Sequence, residues 1–582
     1  MKKALSLILA MIMLASVITG CTTLKGNDKG AIIDMYITTE VLNFDPQASI
    51  TDDAMLKINS LIYEGLTTID QKGKWQKALM KDYEIETDKD GEFSILVYLN
   101  NTRWSDGRTV QAADFVYSWK RLINTNNKHE AACLLYEIKN AYDVKMGDAS
   151  IDDLGVAAVD TYTLQIQFEQ KVDLDQFFEN CSSIALVPLR EDVVSRYTDE
   201  YWAAKSTNIV TNGPFAVKGM NIGEELRLER SGYYYLDAEK NEPLDKFVIP
   251  YRLLTEYDRG DAEAQMAAFE EGKLFYIDEI PLSARADYKG KATVTDMMTT
   301  HTYLFNTNNE LFADADVRRA LSMAIDRDQI VNIVTFAKAA TGYVPYKVFN
   351  STTGTSFREA GGAILSTTAD LAGAKSLLSK AGVNGGEFTL TVRNNEVDLA
   401  IAEYVAGVWE DLGFDVTIDT PKATESMIEE EAFDDNFQKI YDEGTFDVIA
   451  IDMNMLSTDA FSALAQFAVP FSGNGVDMYS ENYDLYTHVT GYANEEYNAL
   501  IASAFAEKDR AKRAELLHQA EEMLLQDMPV VPLVFLQDAY LTHKDLSKVK
   551  TTYYGVRDFR DTKLKNYMKY KAATDTTEDA EK

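Results

Sequence analysis

Three consecutive segments constrain the fold most. Phe388 to Val392 reads as a strand, Ile401 to Leu412 as a helix closed by Gly413, and Asp415 to Ile418 as a second strand. A chain that leaves a strand, crosses through a helix and enters another strand lays the two in parallel, so this region is an α/β unit. Elements of both kinds flank it. Ala31 to Thr38 is an expected strand, and period-two alternation predicts strands through Phe93, Ile95, Val97 and Leu99 and over Thr161 to Phe168. Phe446 to Ile451 and Val530 to Leu536 read as further strands. Helical spacing of apolar residues predicts helices over Ala54 to Gly65, Ala112 to Leu122, Val317 to Val334, Ala369 to Ala381 (closed by Gly382) and Asp509 to Gln526. Asn212-Gly213-Pro214-Phe215 is a tight turn feeding a strand past Val217, with Leu226 to Arg230 as its hairpin partner.

At roughly 100–200 residues per domain, a chain of 582 residues allows about three to five domains. It can bury large cores without covalent staples. With 57 basic and 93 acidic residues the net charge is −36, a field that repels nucleic-acid backbones and disfavours a polybasic grip on anionic lipid. Three cysteines are too few for a disulfide scaffold, and five histidines leave little for a histidine-rich metal site. Cys133 and Cys181 leave two readings open, a disulfide or two buried thiols.

The N-terminus points to a compartment. Lys2 and Lys3 precede an apolar run from Ala4 to Ile18, too short to span a membrane comfortably but of signal-peptide length. It ends in Ile18-Thr19-Gly20-Cys21, which resembles the bacterial lipobox, whose cysteine is acylated and becomes the new N-terminus. A signal peptide over 1–20, lipidation at Cys21 and a polar tether over 21–30 are expected. The folded part would then be held on the extracytoplasmic face of the cell membrane by lipid.

Five segments in order carry a wider resemblance. They are Leu42-Asn43-Phe44-Asp45-Pro46; Ile62-Tyr63-Glu64-Gly65-Leu66; Trp104-Ser105-Asp106-Gly107 with Ala113 to Arg121; Ile209 to Phe215; and Asp316 to Leu321 with Ile325-Asp326-Arg327. Together the chain resembles the family 5 extracytoplasmic solute-binding proteins of bacterial peptide ABC importers, the oligopeptide-binding family, from about Ala31 to about Tyr570. The resemblance implies an α/β, two-lobed type II periplasmic-binding-protein clamp with an additional α/β domain. Lobe I would be discontinuous over 31–66, 205–302 and 539–570, the extra domain would span 67–204 and lobe II 303–538, with a disordered tail over 571–582. The chain would cross between lobes near 302 and 538, and ligand would be held where the lobes close. Trp104, Asp114 and Trp119 would hold the extra domain together rather than touch ligand.

The resemblance places three segments at the cleft: Ser49 to Asp53 with Asp52, His301-Thr302-Tyr303, and Asp452 to Asp459. In the third, many members carry an aspartate that holds a peptide's α-ammonium. An ungapped alignment puts Leu456 there; Asp452, read as just past a strand end, is the favoured carboxylate, with Asp459 second. The expected ligand-binding residues are therefore Asp452, Asp459, Asp52, Thr302 and Tyr303. The basic residues some members set against a peptide C-terminus have no match on this strand.

Catalytic motifs are absent: the chain has no GxSxG, HExxH, GxxxxGK[ST] or GxGxxG, so no enzyme is expected. Nor is a cofactor or metal. The expectation is a monomeric peptide receptor that delivers its ligand to the permease subunits of an importer. The alternatives are another solute on the same fold, such as an oligosaccharide or a metal chelate, or a surface lipoprotein that senses peptides without import.

Overall fold

The computed structural model describes residues 31–37, 41–48, 52–87, 92–197, 201–221, 225–234, 251–256, 262–352, 354–427, 432–477, 480 and 485–566. The expected signal peptide, Cys21, the tether, Ser49 to Thr51 and the tail lie outside the described residues. One sheet of eleven strands organises the molecule. In chain order its strands are β1 (Ala31–Tyr36), β2 (Phe215–Asn221), β3 (Glu225–Arg230), β4 (Tyr251–Glu256), β5 (Tyr276–Ile277), β6 (Thr293–Phe305), β7 (Ala337–Ala339), β8 (Gly386–Thr391), β9 (Phe414–Asp419), β10 (Val448–Asn454) and β11 (Val530–Thr542). The spatial order is β9-β8-β10-β6-β11-β5-β1-β4-β3-β2, with β7 also on β11.

The strand–helix–strand unit forms as its sequence dictates. β8 and β9 pair in parallel from Gly386↔Phe414 to Thr391↔Asp419, and the helix Glu396–Glu410 makes the crossover. Ile401, Ala402, Val405, Ala406 and Trp409 are its buried face, at the spacing that puts them on one side. Gly413 supplies a φ of 101° for the return, a backbone conformation that side chains disfavour.

β6 and β11, thirteen residues each, run the length of the sheet. Thr299 to Phe305 pairs with β10 on one side, while Leu541 and Thr542 reach β5 on the other. Positions 302 and 538 fall inside these two strands. The half carrying β1 to β5 and the half carrying β7 to β10 are thus joined through continuous extended backbone. β6 carries a register shift between Asp296 and Thr300.

A separate four-stranded antiparallel sheet is formed by Met80–Thr87, Phe93–Leu99, Thr163–Gln167 and Val156–Ala158. The helix Ala112–Ile123 packs beside it. Trp104 Nε1 donates to Asp114 Oδ2 at 2.9 Å, and the same oxygen caps the helix by accepting from Gln111 N at 2.9 Å. Trp119 Nε1 donates to Leu186 O at 3.0 Å, and both indoles are fully buried. These signature residues are framework. So is Asn212-Gly213: the Asn212 amide bonds both Glu64 N and Glu64 O, and a Cβ on Gly213 would meet Ile62 C at 2.5 Å. Only glycine lets the turn seat on the end of the helix Asp53–Ile62.

Two expectations need correction. The segment Val317 to Val334 is not one helix but two, Ala315–Met323 and Arg327–Val334. Asp326 breaks it because its carboxylate caps the second helix, accepting from Gln329 N at 2.9 Å. The turn lets the buried Arg327 guanidinium donate to Pro532 O on β11 at 2.8 Å. Second, β10 runs on to Asn454, so Asp452 lies within a strand rather than past its end. Cys133 and Cys181 are both buried free thiols, pushed well above the usual thiol range by burial.

Candidate functional site

The register of β6 on β10 sets His301 opposite Asp452. His301 Nδ1 donates to Asp452 Oδ1 at 2.6 Å; the histidine side chain is 2% exposed, the aspartate 27%. Burial by itself lowers the imidazole pKa, but the charge and hydrogen bond of Asp452, with the charge of Asp398, outweigh it and raise it. Asp398 sits on the crossover helix. Burial pushes its carboxyl up to about 6, with His301 pulling down and Asp452 pushing up. The histidine and two carboxylates form one electrostatic unit on the β7-to-β10 side.

The facing wall comes from the other half. Asp52 caps the helix Asp53–Ile62, accepting from Met55 N at 3.0 Å. One turn on, Lys57 Nζ stands 3.1 Å from Asp53 Oδ2, 3.6 Å from Asp278 Oδ2 and 3.9 Å from Asp538 Oδ1. Asp538 Oδ2 is also 2.9 Å from Arg557 Nη2. Burial pushes Asp53 up to about 6, held back by Lys57 and driven further by Asp538 and by Asp452 across the gap. Burial likewise raises Asp278. Lys57 itself is raised, because Asp278, Asp53 and Asp538 outweigh its desolvation.

The walls touch. Arg393, just beyond β8, reaches Asp52 Oδ2 at 3.6 Å and Asp435 Oδ2 at 3.4 Å. Leu282 N donates to Glu396 Oε1 at 2.8 Å. The result is a charged cluster where the two halves of the sheet meet, called the chamber below, whose partly exposed carboxylates are chemically suited to charge-assisted bonds with a cationic group.

Of the expected site residues, Asp452 and Asp52 belong to this chamber. Asp459 does not: it caps the helix Ala460–Ala465 by accepting from Phe461 N, and pairs with Arg513 Nη2 at 2.9 Å. It borders a different cavity of about 310 Å³ that also includes Cys133 and Arg510. Thr302 and Tyr303 are fully buried in β6; the Thr302 hydroxyl donates to Ile451 O at 3.1 Å, and the Tyr303 ring packs 5.9 Å from Trp409. Both side chains face the sheet interior. Leu456 lines a mixed cavity of about 120 Å³ with Leu56, Tyr63, Met455 and Tyr553 and with the charged Glu64, Asp558 and Arg560.

Sequence reasoning placed Asp53 in a cleft segment without singling it out, and missed Lys57, Asp278, Arg393, Asp398, Asp538 and Arg557. One signal was there: Asp53 and Lys57 are four apart, the spacing of a same-face pair on a helix. The others are brought in by tertiary contact alone. Among the described residues, no group of three or more His, Cys, Asp or Glu side chains is placed to hold a metal ion. No helix among them is long and apolar enough to cross a membrane.

Residues 74–475 match the model of the bacterial extracellular solute-binding proteins, family 5 Middle. The chain belongs to this family. As a family 5 solute-binding protein it is 26% identical over 535 residues to the dipeptide-binding protein DppE of Bacillus subtilis (strain 168), covering 88% of this chain and 89% of that one. It is 26% identical over 517 residues to the periplasmic oligopeptide-binding protein OppA of Salmonella typhimurium, covering 86% and 87%. The Escherichia coli murein tripeptide binding protein MppA aligns with a TM-score of 0.73 at 23% identity, covering 92% of this chain and 98% of that one. The fold is therefore that of the two-lobed type II binding proteins. Against MppA in its unliganded open form the TM-score is 0.53 at 23% identity.

Proposed function

We propose that this solute-binding protein captures peptides between its two lobes and hands them to the permease subunits of an ABC importer. The observation that carries the reading is the partly exposed carboxylate of Asp452, set in a chamber to which both halves of the sheet contribute charged groups. A peptide α-ammonium is the group such a carboxylate suits. The names of the matched relatives, dipeptide- and oligopeptide-binding proteins, support the same ligand class. In this reading lobe I comprises 31–66, 205–302 and 539–570, the extra domain 67–204, and lobe II 303–538. β6 and β11 are the connections about which the lobes open. Asp452 and Asp52 are ligand-facing, and the protein works as a monomer without cofactor or catalysis.

Ligand shifts an open–closed balance only through its differential affinity for the closed form, and contacts from both walls supply that difference. A peptide pool at a hundredfold excess over the dissociation constant should stabilise the fold by about 2.7 kcal/mol. Small-angle scattering should show compaction with the same ligand. A raised unfolding midpoint at unchanged dimensions would mean binding to one lobe, and the clamp reading would fail. Mass spectrometry of ligand retained through purification separates peptides from oligosaccharides or metal chelates.

The anchor is assigned to Cys21, from the lipobox behind an apolar core. Cys21→Ala should move the protein from the membrane fraction to the soluble or secreted fraction. A variant held in the membrane as firmly as the wild type would remove the lipid anchor from this account.

A further inference from the structure

The cavity of about 310 Å³ beside Asp459 lies where the region of the four-stranded sheet meets the half carrying β7 to β10, and none of its lining residues belongs to the chamber. One wall is the helix Leu174–Asn180 with Cys133 and Glu137; the other is Asp459 and Phe461 with the start of the helix Arg510–Asp527. Small-molecule pockets hold about 300–1,000 Å³ and favour such junctions between structural units. Paired charges frame this one. Arg513 Nη2 stands 2.9 Å from Asp459 Oδ2, and Gln176 Nε2 donates to the same oxygen at 3.0 Å. Arg510 Nε donates to Asp173 Oδ2 at 2.8 Å. The last two bonds cross the junction and fix the spacing of the walls.

Two polar groups of the lining are left over. Asn180 is 6% exposed, and its side-chain oxygen is buried with no donor among the described residues. Arg510 turns Nε to Asp173 and Nη1 to Glu179, 3.5 Å away, but its Nη2 is buried with no acceptor among the described residues. A surplus acceptor and a surplus donor thus line one space, and each is costly until something completes it. Water can satisfy either. Charge favours a solute, because the surplus donor is a guanidinium N–H, whose best complement is a carboxylate. Lys508, two residues before Arg510 on the same lining, adds positive charge. The Asn180 oxygen calls instead for an N–H. Glu137, on its side of the junction, adds a carboxyl that burial raises, against the pull of Arg513 and Lys508. A carboxyl so raised gains from an ammonium beside it.

We propose that this cavity is a second binding site, for a small zwitterion of the α-amino acid class, its carboxylate on Arg510 Nη2 and its ammonium on Asn180 Oδ1 and Glu137. The site does not depend on peptide capture at the chamber. Both walls contribute a contact, so the bound molecule also favours the arrangement in which they meet.

The test is calorimetric titration of the mature full-length chain in detergent with each standard L-amino acid in turn. At least one should bind, and its N-acetyl derivative and its carboxamide should each bind about tenfold or more weakly. Arg510→Gln should shrink the preference for the free carboxylate over the carboxamide. Asn180→Ala should shrink the preference for the free amine over the N-acetyl form, and two variants guard against one that does not fold. No binding by any amino acid would overturn the site and leave peptide capture untouched. Derivatives that match their parent would overturn the zwitterion. Binding lost in Asp452→Asn while both cavity variants bind as the wild type does would place the amino acid in the chamber and remove this second site.

Discussion

Asp452→Asn should weaken the capture of a free-amine peptide by about ten- to hundredfold, the worth of a charge-assisted bond of roughly 1.5–3 kcal/mol. The same substitution should hardly change the poor binding of the N-acetylated peptide. Asp452 has the capacity for the role although Oδ1 already accepts from His301, because a carboxylate has two oxygens and about four acceptor sites. Equal affinity of the wild type for free and acetylated peptides would end the assignment. The variant also has a pH signature. The folded imidazole of His301 is raised above its ordinary value of 6.5, so the stabilisation it draws from Asp452 is fully present below 6.5 and is lost as pH rises through the raised value. Asp452 also pushes Asp53 and Asp398 up, a cost to the folded state above their ordinary value of 3.8 that the amide removes. Both effects act in one direction: the stability gap between wild type and Asp452→Asn should be widest on the acid side and should narrow toward alkaline pH. A gap that widens with rising pH would show that the pair is not coupled as described.

Why the sequence led to Asp452 but not to its surroundings is a matter of range. The pattern Phe446 to Ile451 announces a strand, and the family resemblance says what its end faces; both are local in sequence. The pairing His301↔Asp452 joins positions 151 residues apart, and neither side chain betrays the other. Lys57 meets Asp278 and Asp538 from three distant segments in the same way. Element type was legible wherever periodicity ran long, as in Glu396–Glu410, whose buried residues keep helical spacing. It failed at Asp326, where one capping carboxylate overrides an amphipathic pattern continuous on both sides. Thr302 and Tyr303 show the limit of a motif: the segment was placed at a crossing, but alternation along β6 and the register on β10 decide which side chains leave the core. Asp459 was a candidate by type, and tertiary contact gives it a helix cap and the Arg513 pair, away from Asp452.

Far from the chamber, a single carboxylate should matter more to stability than any residue in it. Glu521→Ala should cost about 3–5 kcal/mol, the usual loss when one member of a buried ion pair is removed. Glu521 lies on the helix Arg510–Asp527, and Arg358 on the short helix Phe357–Gly361. Arg358 Nη1 stands 2.6 Å from Glu521 Oε1, with the side chains 1% and 0% exposed. The same oxygen accepts from Tyr343 N at 2.8 Å and Val344 N at 2.9 Å, so one atom fixes a helix, a guanidinium and a loop. The loop cannot adapt: a Cβ on Gly342 would fall 1.6 Å from Arg358 Nη1. Alanine at 521 leaves a buried guanidinium without its counter-charge and two amides without an acceptor, whereas glutamine keeps an acceptor oxygen and should lose less. At a urea slope of about 3 kcal/mol/M the alanine variant's midpoint should drop by roughly 1 M or more. Arg358→Ala should cost a comparable amount, and the double variant clearly less than the two together, because the pair shares one interaction. Strict additivity, or an alanine midpoint indistinguishable from wild type, would mean that the packing around the pair, and not the pair itself, ties this helix to the loop before it.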